Sequence, residues 1–390
     1  MVDAHIPAFP DRVAAAPDCT AIRPRFHTDR EAALAAVDSL PADIICSGYQ
    51  RPDFLRAWLH HSPHEPLFVT LSAPGRGPVL LPLERACGRI FCFVGGHHAN
   101  ANFPVGRAED IAALAAAGET AIVAALRAGG SHGHAIALER QLPDYRGVRN
   151  PFVFEGSTVS PDPALSLSLE GGFDAVLSRH NAKKRRKRFR SQERALEAIG
   201  GYRFVSSVAV EDIPETLDLY FTIKARQFEE NGVHNDFADP HVREFFTELF
   251  VEGARTNPKG RTIKAIEAEG KTIAIQGCSI HDGRITVEFC SYDPDYARYV
   301  PGELLFYLAI REAAETGLDI FDFSVGDARH KRTWSEFEVW HRDTIIPLNT
   351  IGVLVGMMIR ARNGAVRTIK RDPTMWKAAK VLRKHLPFIG

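Results

Sequence analysis

The run Arg284–Tyr292, RITVEFCSY, carries one carboxylate, Glu288, in the middle of a strand-like alternation. Alternation sets Ile285, Val287 and Phe289 on one face and Thr286, Glu288, Cys290 and Tyr292 on the other. A carboxylate facing inward from a central strand is either paired structurally or available as a base. Shortly after it, Arg298-Tyr299-Val300-Pro301-Gly302-Glu303-Leu304 opens a helix. Pro301 suits the first helical position, Gly302 leaves the backbone uncovered, and Gly317 suits the left-handed residue that ends the helix. An uncovered helix N-terminus aims several N–H groups at one point, which binds phosphate, and Arg298 could add a charge-assisted contact. The following strand, FDFSVGDARHKRTW, holds Asp322, a Gly326-Asp327 turn, then Arg329, Lys331 and Arg332 before Trp334. Its end would bring those cations to the same anion. Trp334 would then either cover an apolar ligand arm or fill core.

These residues need a sheet and a helix to hold them. Helices are expected over 173–199, 214–231 and 240–254, and strands over 261–270, 271–282 and 284–293. Turns fall near Gly270 and at Asp282-Gly283. A helix over 302–316 and a strand over 318–326 complete the half. The first half reads in the same order: helices over 29–38 and 51–60, strands over 66–72, 78–84 and 89–96, a polar loop, a helix over 109–127 and a strand over 134–139. Residues 141–163 read as a linker. The division is a loose segment 1–24, domains 25–160 and 161–350, and a tail 351–390. The shared order favours a degenerate duplication.

With 390 residues, 45% hydrophobic and 25% charged, the chain has material for two soluble domains. Its six cysteines show no CxxC spacing and read as buried thiols. The N-terminus has no apolar h-region, and no apolar run is long enough to span a bilayer, so a cytoplasmic protein is expected. The net charge of zero hides a segregation. Residues 179–194 and 360–384 hold nine Lys/Arg and one acid each, which leaves the remainder acidic by sixteen charges. Such asymmetry points to an anionic partner.

The order hairpin, third strand, loop, helix, strand resembles the GNAT acyltransferase fold. The wording YDPDYARYVPGELL followed by FDFSVGDARHKRTW is similar to the CelD/BcsL subgroup, connected with cellulose and exopolysaccharide synthesis and related to the tandem-GNAT FemABX proteins. The likeness covers about 170 to 385, and more weakly the first half through GGHHANANFP. It implies an α+β mixed-sheet fold of tandem GNAT-like domains with a basic helical C-terminal tail. It also implies a coenzyme A thioester, acetyl or longer, held at 298–304 with Arg329 and Lys331. The loop departs from the superfamily's Gln/Arg-x-x-Gly-x-Gly/Ala pattern, reading Arg298-Tyr-Val-Pro-Gly302-Glu.

Acyl transfer to an amine requires loss of the amine's proton, polarisation of the carbonyl and reprotonation of the thiolate. Glu288 could take the proton, strand N–H groups could polarise the carbonyl, and the likeness points to Tyr299 or Tyr307 for the thiolate. His97, His98, Asn100 and Asn102 would face a cleft between the halves and read the acceptor, beside Tyr292, Asp322, Asp327 and Trp334. The paired histidines have no carboxylate neighbour, so no metal is expected. The acceptor would be a small-molecule or lipid-linked amine of an envelope precursor, either an amino sugar or a long-chain sphingoid base. The rival readings are a non-catalytic effector binding a cyclic dinucleotide and a FemABX-type aminoacyl transferase. No DNA-binding motif is present. The 360–384 segment, with Met375, Trp376, Val381 and Leu382 as its apolar members, is expected to lie on the anionic inner face of the membrane.

Overall fold

A computed structural model describes residues 21–128, 132–372, 374, 375 and 379. Most of the 1–24 segment, and Trp376, Val381 and Leu382 of the tail, lie outside them. The chain builds two seven-stranded mixed sheets whose first five strands follow the same order. In the first, Arg23–His27, Pro66–Ser72, Pro78–Cys87 and Ile90–Phe93 run antiparallel, and Ile90–Phe93 then pairs in parallel with Ala135–Gln141. In the second, Arg203–Val205, Arg261–Ala268, Lys271–His281 and Arg284–Tyr292 are antiparallel, and Arg284–Tyr292 pairs in parallel with Ile320–Val325. Each parallel pair needs a crossover, supplied by the helices Ala108–Arg127 and Pro301–Glu315. Two further strands complete each sheet.

The second hairpin series is written locally. Glu269-Gly270 and Asp282-Gly283 have positive φ at both residues, the geometry of two-residue type I′ turns that match strand twist. The expected helix over 173–199 is two helices, Gly172–Arg179 and Ala182–Glu197. Asn181 breaks them by taking φ 57° and accepting from the Lys184 N–H as the second helix's cap. Pro301 occupies the first turn as expected, and Gly317, at φ 77°, follows the last.

The division at 350 does not follow the sheets. Arg342–Pro347 leaves the second half and pairs with Ala135–Gln141 of the first sheet, and Thr158–Val159 of the supposed linker flanks it. The halves also share a core. The helices Pro52–His61 and Pro240–Thr256 meet through Phe54, Trp58 and Phe245, with Trp58 and Phe245 edge-on at 4.8 Å. Such pairs add about 0.5–1.5 kcal/mol beyond area burial, so the halves are bound by packing as well as by strand exchange. Of the cysteines, Cys46 and Cys278 are buried as expected, while Cys87 is exposed.

Candidate active site

The parallel pair at the centre of the second sheet is short. Arg284, Ile285 and Thr286 pair with Ile320, Phe321 and Asp322, and the pairing ends there. Beyond Thr286 the two strands splay, leaving the backbone of Val287–Ser291 open on that side to a guest. The strand is also bulged. Gly277 faces Phe289 and Cys278 faces Val287, so Glu288 is the extra residue. The bulge turns the strand over. Ile285 and Val287 pack with Phe306, Tyr307 and Ile310 of the crossover helix, whereas Phe289 packs with Tyr220, Phe246 and Phe250 on the opposite face. The three therefore do not share a face, which corrects the alternation read from the sequence.

A cavity of about 330 Å³ opens at the splay. Val300, Gly302, Glu303 and Leu305 line it from the loop and first helical turn, and Cys290, Ser291 and Tyr292 line it from the strand. Val300 precedes the helix at φ 53° and makes no side-chain cap, so the helix N-terminus is bare. A Cβ on Gly302 would stand 3.3 Å from the Tyr292 ring, so glycine keeps this approach clear. Glu303 carries the wrong charge for an anion site, but Arg188 of the basic helix holds its carboxylate at 2.7 Å. Gln276 is fully buried and lines the cavity with neither its amide oxygen nor its nitrogen hydrogen-bonded to the protein. A buried amide left in that state costs free energy until a ligand meets it.

The cations expected here lie elsewhere. Lys331 is drawn inward and donates to the Val325 carbonyl at 2.9 Å, and burial lowers its pKa. Arg332 is engaged by Asp327 and Glu338. Arg329 is exposed and does not line the cavity. Arg298 is exposed and folds onto Tyr299, whose hydroxyl it reaches at 2.5 Å. Pro301 and Leu304 are buried behind the cavity wall. The lining cation is instead Lys224, with Gln227 beside it, from the helix Ile213–Asn231. A helix over 214–231 is expected from the sequence, with no role assigned to Lys224 or Gln227.

A second cavity, about 550 Å³, lies between the halves. Tyr49, Asn100 and Tyr145 line it from the first half, and Arg284, Asp322 and Ser324 from the second. Trp340 and His341, where the chain crosses from the second sheet to the first, close another side. Asp322 occupies the last paired position before the splay and accepts from Arg284 at 3.0 Å and from the Ser324 N–H at 2.7 Å. Ser324 takes φ 62° at a register shift, a strained backbone of the kind concentrated at functional sites. The Tyr49 hydroxyl lies 3.5 Å from the Ser324 Oγ, and burial followed by the Glu288 charge raises its pKa, so the phenol stays protonated. Burial lowers His341 to about 4, and its Nδ1 has no protein partner.

Several expected site residues are packing residues instead. Glu288 lines neither cavity. Its carboxylate accepts from Arg261 at 2.6 Å, and Arg261, 1% exposed, also reaches Asp53 at 3.2 Å. Tyr299 lies in the cluster with Tyr296 and Leu305. Tyr307 stacks on Phe189 at 4.3 Å, away from both cavities. Trp334 is core, with the Arg185 guanidinium 3.3 Å above its ring centroid. Burial lowers Arg185 to about 10. Asn102 is buried and bonded to Gln50 and the Glu139 carbonyl. His98 packs against Trp58, Phe237 and Phe246, and His97 is exposed. Of the four polar-loop residues expected to read the acceptor, Asn100 lines the cavity, held by Arg140 at 2.7 Å. Asp322 alone of the acceptor-side residues named after the strand lines this cavity, and Tyr292 lines the donor side.

A bare helix end beside splayed parallel strands is where comparison with known proteins becomes informative. Residues 183–332 match the acetyltransferase (GNAT) domain family. The chain carries a GNAT-type acyltransferase domain. Among solved structures it is similar to FemX, with TM-score 0.50 at 10% identity over 82% of this chain and 96% of that one. It is also similar to L-PGS from Bacillus licheniformis, with TM-score 0.45 at 13% identity over 82% and 92%. A tandem GNAT protein from the clavulanic acid biosynthesis pathway gives TM-score 0.39 at 10% identity over 84% and 99%. The FemX likeness speaks to the fold. No curated protein sequence matches the chain.

Proposed function

We propose that the protein is an acyl-CoA-dependent N-acyltransferase whose donor enters at the splay and whose amine acceptor occupies the cavity between the halves. The observation that carries the donor assignment is the buried, unpartnered Gln276 amide in a cavity beneath a bare helix N-terminus. A coenzyme A thioester would supply the activated acyl group. The Gly302 N–H and the positive end of the helix suit its pyrophosphate, Lys224 adds charge, and the Gln276 amide can both donate to and accept from an amide of the pantetheine arm. The open backbone of Val287–Ser291 can orient the arm and polarise the acyl carbonyl.

On the acceptor side, Asp322 stands where pairing ends, so an amine it holds meets the splay directly. Tyr49, a protonated phenol facing the same cavity, replaces Tyr299 and Tyr307 as the proton donor in this reading. The acceptor is an amine on an envelope precursor, as in the exopolysaccharide subgroup the sequence resembles. Calorimetry with coenzyme A and a thiol-release assay over acyl chain lengths and an amine panel test the proposal. Binding in wild type that falls at least about tenfold in Gly302→Val supports the donor site. Equal affinity in the two proteins removes that site. No binding to wild type at all favours an aminoacyl donor or an effector role.

A further inference from the structure

The helix Thr350–Arg371 is folded with its apolar side outward. Among the described residues eight large hydrophobic side chains are exposed, and five of them are Ile351, Val353, Leu354, Met357 and Met358. That concentration in two turns is unlike the scattered exposure of a water-facing surface. The reason is visible on the other side. Gly352 and Gly356 are the buried residues of these turns, and they seat the helix directly on the sheet. A Cβ on Gly352 would lie 1.8 Å from the His134 carbonyl oxygen, and one on Gly356 would lie 3.2 Å from Ile345.

The rest of the inward attachment is the half-buried Val355 and Ile359 together with polar contacts, among them Arg360 donating to the Ile345 carbonyl at 3.4 Å. Asn349 caps the helix by accepting from the Gly352 N–H, Arg367 donates to the Val159 carbonyl at 2.9 Å, and Lys370 pairs with Asp162 at 2.5 Å. Folding of the helix therefore does not account for the outward residues. Ile351, Leu354 and Met358 recur at the spacing of one helical face, with Val353 and Met357 beside them. Arg360 and Arg362 fall at the two borders of that face by helical periodicity, and both are exposed. The helix contains no acidic residue, and the sequence beyond it adds Lys377, Lys380, Arg383 and Lys384.

We infer that this face is a docking surface for an anionic lipid bilayer, entered by the 351–358 side chains, with Arg360 and Arg362 at the headgroup level. An apolar face bordered by arginines, with no acid, matches the charge and polarity gradient of such an interface. It differs from the expectation of a basic anchor over 360–384, because the apolar contribution comes before Arg360. No helix among the described residues is long and apolar enough to cross a membrane, so the contact is one of lying on the surface.

The test is sedimentation of the full chain with phosphatidylglycerol–phosphatidylcholine vesicles and with phosphatidylcholine alone, at low and high salt. Wild type is expected to bind the anionic vesicles and to be weakened by salt. A Leu354→Glu/Met358→Glu variant should bind at least about tenfold more weakly, since each buried CH₂ contributes to insertion. Its melting temperature should be unchanged, because both residues are already exposed. An Arg360→Gln/Arg362→Gln variant should lose the preference for anionic lipid and part of the salt dependence. Equal sedimentation of wild type and the glutamate variant overturns the inference. So does a wild-type dimer in analytical ultracentrifugation that the glutamate variant dissociates while neither protein binds vesicles, because a second copy would then cover the face.

Discussion

Glu288→Gln separates a structural carboxylate from a catalytic one. Glu288 has 4% of its side chain exposed and Arg261 has 1%, with 2.6 Å between Oε1 and Nη1. Burial opposes the charge on Arg261, yet Glu288 and Asp53 more than offset it and hold its pKa above the ordinary arginine value. Glutamine keeps the shape and one acceptor but removes the negative charge. Asp53, 3.2 Å away and about a third exposed, remains as partial compensation. The cost therefore falls below the roughly 3–5 kcal/mol for stripping a buried partner and above the roughly 1 kcal/mol of a neutral hydrogen bond. About 2 kcal/mol follows, or about 4–8 °C in melting temperature at roughly 2–4 °C per kcal/mol. Differential scanning fluorimetry and urea unfolding measure it. Thiol release at saturating donor and acceptor, below the transition, should change by less than about tenfold. An unchanged melting temperature with a rate loss of about 10²-fold or more would refute this reasoning and return Glu288 to proton transfer.

Other outcomes follow from the same geometry. Gly277→Ala should unfold the second sheet or lower its urea midpoint sharply, because the new Cβ would lie 2.1 Å from the Phe289 ring across the bulge. Tyr49→Phe should leave coenzyme A affinity unchanged in calorimetry and lower the thiol-release rate by about 10²-fold, the lower end for loss of a proton-transfer group. His341 is held neutral by burial down to about pH 4. The unfolded chain takes up that proton near pH 6.5, so this part of the stability is present above 6.5 and is lost as pH falls toward 4. It amounts to about 2 kcal/mol by pH 5. His341→Asn should flatten the urea midpoint between pH 7.5 and 5, and an unchanged slope would show that His341 titrates freely in the folded protein.

The strands, the two glycine turns and the crossover helix were legible because each rests on local chemistry: alternation, left-handed glycines, a proline in the first turn. What was not legible depends on contacts distant in sequence. Glu288 finds Arg261 only because a bulge turns it toward the helix carrying Asp53. Nothing in RITVEFCSY announces the bulge, although Gly277 on the neighbouring strand is its enabling residue. The cationic run after Ile320–Val325 looked like anion-binding charge, but Asp327 and Glu338 engage Arg332 from both sides. Tyr49 precedes Ser324 by 275 residues, so its place opposite that serine could not be read from spacing. The return of Arg342–Pro347 to the first sheet was likewise invisible, since a strand's partner is not written in its own residues.

That return bears on why the first half is retained. The donor-side cavity is built wholly by the second half, from the splay, the bare helix end and Lys224. The larger cavity is not: Tyr49 and Asn100 come from the first half, Asp322 and Ser324 from the second, and His341 from the crossing. Tyr145 also donates across the divide to Asp282 at 2.8 Å. A first half reduced to scaffolding would have no need to place a buried phenol opposite a strained serine. The asymmetry suits one unit that carries the activated donor and a second that shapes what it is transferred to. Substitutions in Tyr49 or Asn100 should then shift the preference among amines while leaving the choice of acyl donor to residues around Gln276 and Gly302.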